Sequence, residues 1–327
     1  MIGFKYGGGM KAIIQTNPED PSSLELGDVE KPQIGAGEVL VKVKAAGVNR
    51  ADLLQARGHY PPPPGASEII GLEIAGEVVD AGDTGVEVGT KVGALLAGGG
   101  YAEYVAVPKG QLLPVPTGYS FAEAASVIEV ACTVWSNIAM EAGLAEGQTI
   151  LIHGGAGGIG TFAIQVAKQL GATVAVTAGS DEKLETCKEL GADILINYNE
   201  QDFAEELKNQ CDVILDIMGA KYLKKNLIAL AQGGHMVTIG MQGGTKAELN
   251  MAILLNKRLT LQGTTLRSRS VEDKAAIVAD TVTNVWPWLE DGSVKHHLHG
   301  TYPLADAAKA HTALDSGEVT GKLVLEV

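Results

Sequence analysis

The sequence predicts an α/β protein in two parts, one β-rich and one a doubly wound parallel sheet. Three observations predict it. From residue 10 to 116 the chain runs in short β-forming stretches separated by Gly, Pro and Asp. From residue 149 apolar strands alternate with amphipathic helices, the pattern of a parallel sheet covered on both faces. Glycine supplies 42 of the 327 residues, which suits many tight strand–helix turns. A 46% hydrophobic composition suffices for two buried cores, and the length matches about two domains.

The start, MIGFKYGGG, carries a triple glycine. Residues 1–9 are expected to be a disordered tag or extension ahead of the fold, and a native flexible N-terminus is the other reading. Strands are then expected in MKAIIQT, EVLVKVKAAGV, EIAGEVVDAG, TKVGALL and YAEYVAVP. PPPPG, 61–65, must be an extended loop, because each proline fixes φ and removes a donor. Helical periodicity begins at SFAEAASVIEVACTVWSNIAMEAG, where Ser120 and Glu123 have capping-box spacing. The alternation follows: strand TILIHGG, helix GTFAIQVAKQLG, strand TVAVTAG, helix DEKLETCKELG, strand DILINY, helix QDFAEELKNQ, strand CDVILDIMG, helix YLKKNLIALAQGG, strand HMVTIG. A helix over 271–291 and a last strand, GKLVLEV, complete the chain.

Charge and cysteine content narrow the function. A net charge of −14 and a pI near 4.9 repel nucleic-acid phosphates, so no nucleic-acid partner is expected. A small anionic ligand remains compatible, because a local cluster of amides and one lysine can outweigh the global field. Cys132, Cys187 and Cys211 are too few and too widely spaced for a disulfide framework, which points to a reducing cytoplasm. No apolar run of about 18 residues suggests a membrane span, and the start lacks a signal-peptide core.

The turn after the strand TILI reads HGGAGGIGTF. Gly155, Gly158 and Gly160 are close to a G-x-x-G-x-G dinucleotide fingerprint, and strand, turn, helix and second strand follow in order. Gly155, Ala156, Gly157, Gly158 and Ile159 are therefore read as the pyrophosphate turn at a helix N-terminus; a purely structural glycine turn is the alternative. The tip of the second strand selects the cofactor. An NAD enzyme carries an acid there, whereas this chain has Ala178, Gly179 and Ser180, with Lys183 one helical turn on. A small polar loop beside a cation suits a 2′-phosphate, so NADPH is the expected cofactor. Asp181 and Glu182 complicate that reading unless they serve the helix N-terminus. Tyr198 either flanks the adenosine phosphate or is a rim tyrosine.

GVNRADLLQARGHYPPPPGAS, GLEIAGEV, GGGYAEYVAVP, TAGSDEKL, GKLVLE and above all LRSRS resemble the zinc-free quinone oxidoreductase branch of the medium-chain dehydrogenase/reductase family. Within it they look most like the tumour-suppressor-inducible enzymes of animals and their bacterial relatives. The resemblance covers residues 10–327. It implies a GroES-like catalytic domain over 10–132 and 269–327 and a Rossmann NADPH-binding domain over 133–268. Zinc members of the family carry Cys in a G-x-C-x-x-D step and His in a G-H-E step. Here those positions are Asn49 and Leu72, with Glu129 near the third ligand position, and no four-cysteine lobe is present. An amide and a leucine make a poor zinc donor set, so no metal is expected.

Without a Lewis acid the expected chemistry is hydride delivery from NADPH to an acceptor that needs little activation, a quinone or enone. The resemblance places Asn49, Tyr60 and Arg267 at the catalytic site. Asn49 is alternatively a loop cap, Tyr60 a packing residue, and Arg267, like Arg269, a solvated arginine. A second tyrosine found in some bacterial relatives is replaced by Leu53 and Leu54. Gly240 and Met241 are expected at the nicotinamide end, with Lys322 approaching the cofactor. Asp52 and Glu73 are read as structural, and His296, His297 and His299 as surface residues. A homodimer is implied, pairing sheet edges near LTLQG. The rival functions are a 2-enoyl or alkenal reductase and a non-catalytic NADPH-binding protein.

Overall fold

The computed structural model describes residues 8–327, and the chain divides into two compact units. One takes the chain up to Cys132, then Leu266–Glu290 and His296–Val327; the other takes Thr133–Thr265 and Asp291–Lys295. Residues 1–7 of the expected extension lie outside the described residues, and the first strand, β1 (Gly9–Gln15), already includes Gly9.

β1 pairs antiparallel with β2 (Leu24–Glu30). The sequence reading omits β2. Only Leu24 of LELGDVE is buried, so the alternation that marks a strand is faint. Between β3 (Glu38–Val48) and β4 (Glu73–Asp80) lies α1 (Arg50–Ala56), a helix in a stretch read as β throughout. Its signal was the Asn49-x-x-Asp52 spacing, a local cap that seven residues of weak periodicity hid. β5 (Lys91–Leu95), β6 (Tyr104–Pro108) and β7 (Leu112–Pro114) follow where expected or one short strand beyond.

The stretch from Ser120 is broken into pieces rather than one helix. α2 (Phe121–Ala125) opens with the predicted capping box: Ser120 Oγ accepts from Glu123 N at 3.1 Å and Glu123 Oε1 from Ser120 N at 3.2 Å. Ser126 Oγ donates back to the Glu123 carbonyl at 2.7 Å, the kind of local bond that competes with helix continuation. α3 (Ile128–Val134) runs into a π-helical turn over Trp135–Glu141.

The second unit alternates as predicted through β8 (Thr149–Ile152), α4 (Gly158–Gln169), β9 (Thr173–Ala178), α5 (Asp181–Glu189), β10 (Ile194–Asn197), α6 (Phe203–Glu206), β11 (Cys211–Asp216), α7 (Leu223–Ala229) and β12 (Leu230–Thr238); α8 (Met251–Asn256), which the sequence reading omits, and β13 (Thr260–Gly263) follow. α7 is shorter than YLKKNLIALAQGG suggested, because Leu230 already pairs with Cys211 as the start of β12. The sheet is parallel with order β10-β9-β8-β11-β12-β13. The strand order reverses at β8, so the crevice beyond its carboxyl end is where this architecture receives ligands.

The chain returns through α9 (Val271–Asp291), β14 (Leu298–Pro303), α10 (Ala307–Asp315) and β15 (Lys322–Glu326). These strands complete a seven-stranded sheet of order β14-β15-β3-β4-β5-β7, with β6 also on β3. Its core is built on Val39, Val41, Val43, Ile74 and Val78, all buried. Among the described residues no helix is long and apolar enough to cross a membrane.

Candidate active site

In the second unit β8 leads into a turn that only small residues can make. Gly154 has φ +67°, the left-handed region. A Cβ on Gly155 would lie 2.8 Å from Val176 Cβ, and one on Gly160 would lie 2.3 Å from the Gly154 carbonyl oxygen. Both glycines are buried, while Gly157 is exposed and residues 156, 158 and 159 are half-buried. α4 starts at Gly158, and its N-cap, Gly157, has no side chain to bond the first-turn amides. Those amides, at the positive end of a 12-residue helix, fit a dinucleotide pyrophosphate.

A buried polar network lies beneath the turn. His153 Nδ1 meets Thr177 Oγ1 at 2.9 Å and Nε2 meets Asn226 Oδ1 at 2.7 Å, and burial lowers the imidazole pKa. Asp216, fully buried at the end of β11, accepts from Met218 N, Gly219 N and Thr238 Oγ1 and so fixes the neighbouring loop. Sequence reasoning missed Asp216; an acid closing an apolar strand was its only signal.

At the tip of β9, Ser180 caps α5 by accepting from Lys183 N at 3.2 Å. Asp181 accepts from Asn197 Nδ2 at 3.2 Å, which ties that carboxylate to the end of β10. A Cβ on Gly179 would lie 2.6 Å from Tyr198 Oη, so Tyr198 covers the glycine at the tip. Lys183 is exposed. The structure therefore gathers Gly155–Ile159, Gly179, Ser180, Lys183 and Tyr198 at the carboxyl ends of β8, β9 and β10. Gly240 and Met241 follow β12 on the same sheet, Gly240 close against Ile217 and Met241 exposed.

In the first unit Asn49, Glu73 and Lys322 form one cluster. Glu73 is fully buried, and its Oε1 receives Lys322 Nζ at 3.0 Å and Asn49 Nδ2 at 3.0 Å. Lys322 also donates to Asn49 Oδ1, and Glu73 Oε2 accepts the Glu129 amide at 2.8 Å. Gly47 leaves the space: a Cβ there would sit 2.0 Å from Glu73 Oε1. Leu72 is buried in the apolar core. Among the described residues no group of three His, Cys, Asp or Glu side chains is placed to hold a metal ion.

Beside this cluster Asp52 accepts from the Asn49 amide at 2.9 Å and from Tyr101 Oη at 2.7 Å, and Tyr101 Oη meets His311 Nε2 at 3.0 Å. Burial pushes the Asp52 carboxyl up to about 7 and the His311 imidazole down to about 4.

Arg267 is not a solvated arginine. It is 5% exposed and donates to Ala97 O at 2.8 Å, Tyr60 O at 3.2 Å and Gln55 Oε1 at 2.7 Å. Its guanidinium also lies 5.2 Å from the Tyr60 ring centroid. Arg267 thus clamps α1, the loop before the prolines and the segment after β5. Of the three histidines expected at the surface, His297 and His299 are exposed. His296 is partly buried against Ser126 Oγ at 2.5 Å, and desolvation pushes it down to about 4.

Residues 158–282 match the zinc-binding dehydrogenase family and residues 35–117 the alcohol dehydrogenase GroES-like domain. A quinone oxidoreductase of Pseudomonas aeruginosa is 32% identical over 316 residues, spanning 93% of this chain and 96% of that one. The chain belongs to the quinone oxidoreductase branch of the medium-chain dehydrogenase/reductase family. As a member it is an oxidoreductase with a GroES-like domain and an NAD(P)-binding domain. Escherichia coli quinone oxidoreductase, solved in complex with NADPH, is similar with a TM-score of 0.84 and 26% identity, covering 98% of this chain and 100% of that one. A mycocerosic acid synthase-like polyketide synthase of Mycobacterium tuberculosis is 31% identical over 330 residues. That match takes in 98% of this chain, which spans only 15% of the synthase.

Proposed function

We propose that this chain is an NADPH-dependent quinone oxidoreductase that transfers hydride to quinones without zinc. The observation that carries the proposal is the ammonium of Lys322 seated against Asn49 Oδ1 and Glu73 Oε1. The polar groups at the family's metal position are matched to an internal cation, and the second ligand position is the hydrocarbon of Leu72. That donor set does not suit zinc, so the acceptor is one whose carbonyl needs only a hydrogen-bond donor.

Bound NADPH supplies the hydride. The first-turn amides of α4 hold its pyrophosphate, and the backbone at Gly240 and Met241 meets its nicotinamide end. With Asp181 tied to Asn197, the tip of β9 leaves Lys183, Ser180 and Tyr198 to receive the 2′-phosphate; this supports NADPH over NADH. Tyr60 is half-buried and its pKa is raised by desolvation, so at neutral pH its hydroxyl stays a donor for the acceptor oxygen. Arg267 holds Tyr60 in place from behind. Asn49 uses one amide hydrogen on Glu73 and keeps the other for the acceptor, while Lys322 orients that amide.

A second reading, a 2-enoyl or alkenal reductase, is favoured by the match to proteins whose names place this scaffold in acid and polyketide synthesis. NADPH oxidation is measured with 1,2-naphthoquinone and with a 2-alkenal, beside NADH as the alternative donor. The quinone reading expects turnover of the naphthoquinone with preference for NADPH. Turnover of the alkenal alone, or one zinc per chain in the purified protein, overturns it. The same proposal includes a cytoplasmic enzyme, consistent with three free, buried cysteines, and a homodimer formed through β13.

A further inference from the structure

The first unit carries a pocket of about 490 Å³ that shares Arg267 with the proposed site and is otherwise not used by the proposed chemistry. Its walls include Pro63, Pro64, Ile69, Leu96 and Val105, and one end is formed by Arg267, Arg269 and Lys274 at the start of α9.

Two of those cations are buried without an acid. Lys274 is 4% exposed, its ammonium has no hydrogen bond or ion pair among the described residues, and the ammonium nitrogen is not sealed from solvent. Residues 1–7 contain no Asp or Glu. Arg267 spends three N–H groups on two carbonyls and an amide, all neutral. Neither cation has a carboxylate within ion-pair distance among the described residues. Burial and the neighbouring Arg267 charge both lower the Lys274 pKa. Glu30 and Glu38 also line the pocket, but Glu38 Oε1 accepts the Gly35 amide at 2.7 Å, and neither acid is within ion-pair distance of Lys274 or Arg267.

A chain with 39 acidic and 25 basic residues has no shortage of carboxylates. Asp52 and Glu68 act on Arg267 only from beyond ion-pair distance, so two neighbouring, largely buried cations with no carboxylate in contact form an arrangement that an incoming anion completes. The N-terminal end of the 21-residue α9, whose Val271 lines the same pocket, adds partial positive charge there. Away from the cations the walls mix Pro63, Pro64, Ile69, Leu96 and Val105 with Glu38, Ser67 and Gln111, so the anion that fits carries a hydrocarbon body along the apolar stretch, and the volume is that of a small-molecule site.

We propose that this pocket binds a small organic carboxylate, its head group between Lys274 and Arg267 and its apolar body along Pro63, Pro64, Ile69 and Val105. The site goes beyond the quinone chemistry and does not depend on which acceptor is reduced.

Titration calorimetry on the full chain, with no cofactor or acceptor present, tests it with 4-phenylbutyrate, the neutral 4-phenylbutyramide and inorganic phosphate. Saturable one-to-one binding of phenylbutyrate is expected, with the amide roughly tenfold weaker, the scale of one charge-assisted contact. Lys274→Met is expected to weaken the carboxylate by a similar factor and Lys274→Arg to retain it, both checked for folding by circular dichroism. Equal binding of amide and carboxylate, no saturable carboxylate binding, or phosphate binding more tightly than phenylbutyrate overturns the proposal. The amide comparison uses the unaltered protein, so it decides even if Lys274→Met does not fold. Each of these outcomes leaves the NADPH–quinone assay unaffected.

Discussion

Glu73 would be costly to bury alone, and Lys322 is the cation that makes its burial tolerable. Lys322→Met leaves a buried carboxylate with no counter-charge and is expected to destabilise the fold by about 3–5 kcal/mol in urea unfolding. Glu73→Gln placed on top of it should restore much of that loss; no recovery in the double variant would show that Lys322 acts through packing instead. Gly47→Ala attacks the same pair from the other side, because its Cβ would meet Glu73 Oε1 at 2.0 Å, and about 1–3 kcal/mol of destabilisation is expected. Asp52 gives a pH signature. Its folded pKa of about 7 exceeds the ordinary 3.8, so the folded state binds the proton more tightly, and the stability this contributes is lost as pH rises between those values. His296 and His311, both pushed from 6.5 to about 4, act in the opposite sense: stability rises with pH across their window. Comparison of Asp52→Asn with the unaltered chain isolates the first effect. The variant should gain relative stability from about pH 4 to about pH 7 and stay level above; a pH-independent difference would contradict the assignment.

At the scale of elements, the proposed preference for NADPH rests on β9 and α5. Lys183→Glu reverses the charge beside the tip, and the expected result is at least a roughly tenfold fall in kcat/KM for NADPH with little change for NADH. Equal losses with both cofactors would place Lys183 outside the 2′-phosphate site. The turn and this tip were legible in the sequence because each is local: strand, glycines, helix and strand follow one another within about 35 residues, as the dinucleotide unit requires. α1 and β2 were not, because seven residues give too few repeats for a period to show. The cluster around Asn49 was half legible. The sequence showed that the thiolate and imidazole were missing, but Lys322 stands 273 positions from Asn49, and only the antiparallel pairing of β15 with β3 brings them together. The same holds for Arg267, whose partners at Tyr60, Gln55 and Ala97 are all about 170–210 residues earlier. Conformation decided by neighbours in the chain could be read; polar partners chosen by topology could not.

At the scale of the whole molecule, the open edge of the parallel sheet bears on assembly. Among the described residues β13 ends the six-stranded sheet and pairs only with β12, so one side of it presents unpaired backbone groups there. Leu255, 65% exposed, and Met251 lie on α8 just before it. Pairing two β13 edges about a two-fold axis would satisfy both rows at once and cover those side chains. Opposing this, each copy carries a net charge of −14, and bringing two together concentrates like charge. The balance makes association salt-dependent in a defined direction. Screening weakens the repulsion while leaving edge hydrogen bonds and apolar burial largely intact. Sedimentation equilibrium should therefore show a dimer whose affinity rises from about 10 mM to about 150 mM salt, as the Debye length shrinks from about 30 Å to about 8 Å. Leu255→Asp with Thr260→Asp adds two charges per copy at the edge and should give a folded monomer at concentrations where the unaltered chain is dimeric. A monomer at all concentrations, or a dimer indifferent to the double substitution, would remove β13 as the assembly edge.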